Sequence, residues 1–130
     1  MKKHLNPENV APPAGPYSHV VEAGQYVFLS GQAPLDLETG ELFHGTFEEE
    51  AILVFNNIKQ ALKSVNLDFS DVVKVQTHLG NLDHAIRYNE IYKEYFKEPF
   101  PARTTVGSLL GRIQIEIDCI AYKSLQKDNK

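Results

Sequence analysis

Apolar residues recur at three- and four-residue steps from Phe47 through Ala51, Val54, Phe55, Ile58 and Leu62 to Val65. That is the period of a helix with one buried face. Thr46-Phe-Glu-Glu49 stands at its head as a capping box, in which the Thr46 hydroxyl takes the Glu49 amide and the Glu49 carboxylate reaches back. Glu48 to Glu50 also fall where the helix dipole favours negative charge. The spacing predicts an amphipathic helix of about five turns.

The pattern changes to alternation over Val72 to Leu79, with Val73, Val75, Thr77 and Leu79 on one face and Lys74, Gln76 and His78 on the other. This predicts a half-buried strand. Asp83 is placed to cap a second helix with Ala85, Tyr88, Ile91, Tyr92 and Tyr95 as its apolar stripe, stopped by Pro99 and Pro101. Strands follow over Ala102 to Leu109 and Ile113 to Lys123, with a turn at Gly111. Upstream, β-rich runs flank Ala23-Gly24 and predict a hairpin that ends at Gly31. Pro7, Pro12, Pro13, Gly15 and Pro16 predict an irregular segment over residues 1–16, and residues 125–130 read as a frayed tail.

The order is β-β, α, β, α, β-β: one α+β domain over residues 1–130, with two helices packed on one face of one sheet. In the last strand Ile113, Ile115, Ile117, Cys119 and Ala121 share a face, leaving Glu116, Asp118, Ile120 and Tyr122 on the other. A bare face mixing apolar and charged groups is expected to be covered by subunit association.

Composition narrows the function classes. Of 130 residues 42% are hydrophobic and 23% charged, which is ordinary globular composition. Thirteen Lys+Arg against seventeen Asp+Glu give a net charge of −4, so no broad basic footprint for nucleic acid is expected. The single Cys119 allows no internal disulfide and no zinc site built from Cys pairs. No apolar run reaches the roughly 18 residues of a membrane span. Met1-Lys2-Lys3 is followed by Asn6, Pro7, Glu8 and Asn9 rather than by an apolar leader core, so the cytosol is the expected compartment.

The sequence carries no P-loop, dinucleotide fingerprint, HExxH or GxSxG motif. Its five histidines are scattered; His78 reads as solvent- or interface-facing and Cys119 as a small buried hydrophobe. Three segments ask for more than packing. Gly15-Pro-Tyr-Ser18 delivers an aromatic hydroxyl at the start of a strand. Ser30-Gly-Gln-Ala-Pro34 offers a backbone that something can approach closely at Gly31. Phe100-Pro-Ala-Arg-Thr-Thr-Val106 places the Arg103 guanidinium on one strand face with Thr105, suited to a bidentate carboxylate contact. Taken singly, each also has a plain reading: Tyr17 in the core, Gly31 as a bulge, Arg103 as half of a structural ion pair.

Taken together, the segments resemble the RidA/YjgF family of reactive-intermediate (enamine/imine) deaminases. The likeness runs through Ala11 to Ser18, Leu29 to Pro34, Asn56-Asn57-Ile58, Tyr88 to Tyr92, Pro101 to Val106 and Ile115 to Ala121. It implies a chorismate-mutase-like fold with a single mixed sheet, a homotrimer with clefts between subunits, and activity as a 2-iminobutanoate/2-iminopropanoate deaminase. It implies small imino and 2-oxo acids as partners, and neither a cofactor nor a metal. Carried over residue by residue, it implies Arg103 as the carboxylate clamp, Glu116 as the group that handles water, and Tyr17 beside them. Ser30, Gly31, Thr105 and Asn89 would be substrate contacts. Two departures stand out: Thr105 replaces a cysteine found in many deaminase members, and the stretch between Val106 and Glu116 is shorter than usual. A non-catalytic module for 2-oxo acids stays open, and a weaker reading is an endoribonuclease or translation inhibitor.

Overall fold

The computed structural model describes residues 2–8 and 13–124. Among the described residues six strands form one sheet in the order β1-β2-β3-β6-β4-β5. They are β1 (Lys2–Leu5), β2 (Val20–Ala23), β3 (Tyr26–Gln32), β4 (Val72–Leu79), β5 (Ala102–Gly107) and β6 (Ile115–Tyr122). Helix α1 (Phe47–Lys63) links β3 to β4, and α2 (Ala85–Tyr95) links β4 to β5. The β4–β5 pair is parallel and all other pairs are antiparallel, so the sheet is mixed.

The α1 capping box forms as its residues suggest: Thr46 Oγ1 accepts from the Glu49 amide at 3.1 Å, and Glu49 Oε1 accepts from the Thr46 amide at 2.9 Å. Asn66, in the left-handed region at φ 62°, turns the chain out of the helix toward β4. The apolar stripe of α1 and the Tyr88, Ile91 and Tyr92 face of α2 are buried against Val75, Ile115, Ile117, Cys119 and Ala121 of the sheet. Phe55 stacks on Tyr95 at 4.4 Å and on Tyr88 at 6.2 Å. Each fully buried large side chain of this kind stabilises the fold by about 1.5–3 kcal/mol.

Several boundaries differ from the sequence reading. The segment expected to be irregular over 1–16 contains β1, paired antiparallel with β2 from Lys2↔Ala23 to Leu5↔Val20. Its side chains are mostly exposed, so backbone pairing rather than an apolar pattern makes the strand, and two lysines suit an edge. Asp83 is not the cap of α2. Asn81 Oδ1 accepts from the Asp83 amide at 2.9 Å and opens a 3₁₀ turn over Leu82–His84; α2 follows with no side-chain cap. The helix ends at Tyr95, ahead of both prolines, where Phe96 turns extended. In β4 the register shifts between Val72 and Lys74, so Val72 is buried and Val73, expected inside, is 42% exposed. The last two strands are shorter than expected, and the tail over 125–130 lies outside the described residues.

Both helices cover one face. The other carries Glu116, Asp118, Ile120 and Tyr122 of β6, as anticipated, with Lys74, Gln76 and His78 of β4. It also carries the exposed rings of Tyr26 and Phe28, which the register sets opposite Tyr122 and Ile120.

Candidate active site

The candidate residues fall into two groups. Arg103 lies in β5 opposite Val75 of β4, which is fully buried beneath the helices. Its guanidinium therefore reaches toward α2, where Nη2 donates to Asn89 Oδ1 at 2.8 Å. The guanidinium carbon sits 4.7 Å from the Tyr92 ring centroid and 5.3 Å from that of Tyr88, within cation–π range. Among the described residues no carboxylate pairs with Arg103. The ion-pair reading of this residue therefore has no partner there, and guanidinium donors stay free beside a cleft of about 320 Å³ lined by Asn89, Tyr92, Lys93, Phe100 and Pro101.

The two tyrosines are held as neutral supports. Burial pushes the Tyr92 hydroxyl up to about 12 and raises Tyr88 further, against the opposing pull of Arg103. The Tyr88 hydroxyl is anchored by a hydrogen bond with Thr77 Oγ1. Thr105 lies opposite Thr77; its hydroxyl is buried without a partner among the described residues, and it does not line the Arg103 cleft.

The second group lies on the uncovered face. Tyr17, Leu29, Ser30, Gly31, Glu116 and Asp118 line a cleft of about 410 Å³. Tyr17 is 45% exposed and so is not a core residue; its amide donates to the Gly15 carbonyl at 2.9 Å, closing the Gly-Pro turn. Ser30 Oγ donates to the Ser18 carbonyl at 2.6 Å, which leaves its lone pairs for a ligand. The β3–β6 register shifts between Leu29 and Gln32, so the bulge reading of Gly31 holds. The bulge has a use: a Cβ on Gly31 would lie 2.9 Å from Glu116 Cδ, so only glycine leaves the carboxylate its place.

Asp118 borders the same cleft; burial raises its carboxyl above the usual range, opposed by His78 and Lys74. His78 faces the same side, with Nδ1 2.8 Å from Ser108 Oγ and Nε2 4.0 Å from Asp118 Oδ2. Burial pushes the Cys119 thiol up to about 12, which leaves it inert as a nucleophile. Among the described residues no three His, Cys, Asp or Glu side chains gather as a metal site, and no helix is long and apolar enough to cross a membrane.

Within one chain the two groups cannot meet. Arg103 and Cys119 both lie opposite Val75, whereas Glu116 lies opposite His78. Paired residues share a face and Val75 and His78 are three apart, so Arg103 and Glu116 project from opposite faces of the sheet.

A family model described as Endoribonuclease L-PSP matches residues 8–123. The chain belongs to the RidA/YjgF family. Among the family's curated members, a RutC family protein of Pyrococcus horikoshii is 39% identical over 95% of this chain and 99% of its own length. The human 2-iminobutanoate/2-iminopropanoate deaminase is 40% identical over 84% of this chain and 81% of its own. A solved structure of RidA from the Antarctic bacterium Psychrobacter superposes with a TM-score of 0.86 at 32% identity, covering 92% of this chain and 98% of the other. Family membership and the α+β fold inferred from sequence are thus both shown.

Two further residues hold the site in place, a role that the sequence reading does not give them. Glu50 is buried at the inner edge of α1, where Oε1 accepts from the Gln114 amide at 2.9 Å and Oε2 from Gln114 Nε2 at 2.8 Å and the Gly45 amide at 3.3 Å. It fixes the chain two residues before Glu116. Its signal was available, because Glu50 falls three residues after Phe47 and four before Val54, on the apolar stripe. Asn57 is the other: its Nδ2 donates to the carbonyls of Ala33 and Leu35, holding the loop that leaves β3.

Proposed function

We propose that this chain hydrolyses reactive 2-imino acids, in equilibrium with enamines of the 2-aminoacrylate type, to 2-oxo acids and ammonia. The observation that carries the reading is the state of Arg103: a guanidinium held by an amide oxygen and two aromatic faces, without a carboxylate among the described residues. It is a built receptor for a small carboxylate. The names of relatives at about 40% identity, among them the human deaminase, support the same chemistry.

Because Arg103 and Glu116 leave opposite faces of one sheet, the site is proposed to form where one copy's β5 edge meets another copy's uncovered face, in a homotrimer. There Arg103 clamps the substrate carboxylate and presents the imine carbon to the Glu116 side. A water oxygen bonds to that carbon as the C=N π pair moves onto nitrogen, and Glu116 takes the water's proton. Protonated Glu116 then gives that proton to the amine nitrogen; the C–N bond breaks as the hydroxyl oxygen forms the carbonyl and returns its proton to the Glu116 carboxylate, and ammonia leaves. Tyr17 and the Ser30 lone pairs hydrogen-bond the water or the departing nitrogen. An iminium carbon is already electrophilic, so general acid–base positioning worth roughly 10²–10⁴ serves the reaction.

The deciding experiment generates imino acids in place with an amino-acid oxidase and follows their decay with and without the protein. Catalysed decay supports the reading. Binding of 2-oxo acids without catalysed decay points instead to a carrier or sensor. RNA cleavage is the second reading, favoured by the family model's description; a net charge of −4 weighs against it, and loss of RNA cleavage on replacing Glu116 would revive it.

A further inference from the structure

Behind Glu116 lies an inner cavity of about 120 Å³, room for several waters. Tyr17, Gly31 and Glu116 belong both to it and to the cleft on the uncovered face, and His19, Gln32 and Asn57 supply its other polar lining. Gln32 Nε2 donates to the Ser30 carbonyl and Asn57 Nδ2 to two loop carbonyls. His19 has no such use. It is only 5% exposed, and neither ring nitrogen has a hydrogen-bond partner among the described residues.

Its place is nonetheless fixed. The His19 amide donates to Asn6 Oδ1 at 3.3 Å and its carbonyl accepts from the Ser30 amide at 2.9 Å. Burying an imidazole with both nitrogens unmatched is costly, and a water with two or more polar partners removes that cost. The other group in the cavity wall without a side-chain hydrogen bond among the described residues is Glu116. A neutral imidazole can both donate and accept, so one water can join the two.

We infer that His19 is a positioning residue: with Glu116 it holds a water of the inner cavity, which fixes the carboxylate and orients the water it activates. The role rests on the deaminase reading, but the water contact itself does not. The competing role is packing, since the His19 ring meets Tyr17 edge to face, 5.7 Å between centroids at 84°.

Two variants separate the roles. His19→Phe keeps the ring contact and removes both nitrogens; His19→Gln keeps a donor and an acceptor and removes the ring. With sedimentation confirming unchanged assembly, His19→Phe should lose on the order of 10²-fold in kcat with KM little changed, while His19→Gln stays within about threefold of wild type. The reverse order, equal loss in both, or no loss in either overturns the inference. An independent readout uses the unliganded wild-type protein: nuclear Overhauser transfer from a long-lived water to the His19 ring protons is expected, and its absence overturns the inference whatever the kinetics. If the wild type fails to hasten imine decay, the deaminase reading falls, and the water contact alone decides whether His19 holds a water.

Discussion

The Glu116 carboxylate occupies the space a side chain on Gly31 would take: a Cβ there would lie 2.9 Å from Glu116 Cδ and 3.0 Å from Oε1. Side-chain Cβ atoms do not come that close to other groups, so the two positions are interdependent. The β3 bulge brings backbone toward β6, and glycine lets the carboxylate stay beside it.

Gly31→Ala should therefore act as a mutation of Glu116. The added methyl swings the carboxylate away, and a displacement of about 1 Å at a reacting group costs on the order of 10²-fold in rate. Imine-decay kinetics should show the loss in kcat, with 2-oxobutanoate affinity nearly retained because Arg103 is untouched. Wild-type turnover would mean that the observed seat of Glu116 has no bearing on catalysis.

Arg103→Ala should remove carboxylate binding while the fold survives, since the guanidinium lies at an exposed strand edge. Truncating one partner of a charge-assisted pair costs about 2–5 kcal/mol, so 2-oxobutanoate affinity measured by calorimetry should drop at least about 30-fold. Arg103→Lys should also bind poorly, because an ammonium cannot lie flat between the Tyr88 and Tyr92 rings while forking to a carboxylate. Retained affinity in either variant would assign the clamp elsewhere.

How far the sequence could go is clear from these residues. The Phe47 to Val65 stripe and its capping box carry their own evidence, because helix period and cap chemistry are local. The β6 alternation likewise separated Glu116 and Asp118 from the core. Features that depend on a partner strand were not legible. β1 has no apolar pattern and exists through pairing with β2. Val73 is turned outward by a bulge that appears only in the β4–β6 register. The separation of Arg103 from Glu116 onto opposite faces needs two registers at once, so local alternation could place Arg103 with Thr105 but not against Glu116. Nor could it tell that Thr105 stays out of the lining of the Arg103 cleft.

Glu50 should prove a structural rather than a chemical carboxylate. Glu50→Ala leaves the Gln114 amide and side chain and the Gly45 amide without their acceptor. Hydrogen bonds to charged groups contribute about 1.5–3 kcal/mol each, and they are not additive, so a loss of about 3 kcal/mol in urea unfolding is expected. Glu50→Gln should recover part of it. A change below about 0.5 kcal/mol would mean that Glu50 does not hold the start of β6.

The opposite-face geometry yields a test that separates a shared site from one contained in each chain. Glu116→Gln alone should bind 2-oxobutanoate about as well as wild type but hydrolyse imines roughly 10²-fold more slowly, as expected for loss of a general base. Arg103→Ala alone should fail at binding. If a homotrimer near three times 14.7 kDa joins one copy's Arg103 to the next copy's Glu116, the two inactive variants can repair each other. After unfolding and refolding an equal mixture, each interface has about one chance in four of drawing Arg103 from a Glu116→Gln chain and Glu116 from an Arg103→Ala chain. Activity should then return to about a quarter of the wild-type value. A site inside one chain would regain nothing, because every chain in the mixture carries one lesion. Sedimentation of the mixture excludes the remaining alternative, in which Glu116 serves only the interface: activity would then follow the fraction of trimer, and the Glu116→Gln protein would be dissociated rather than assembled and inactive.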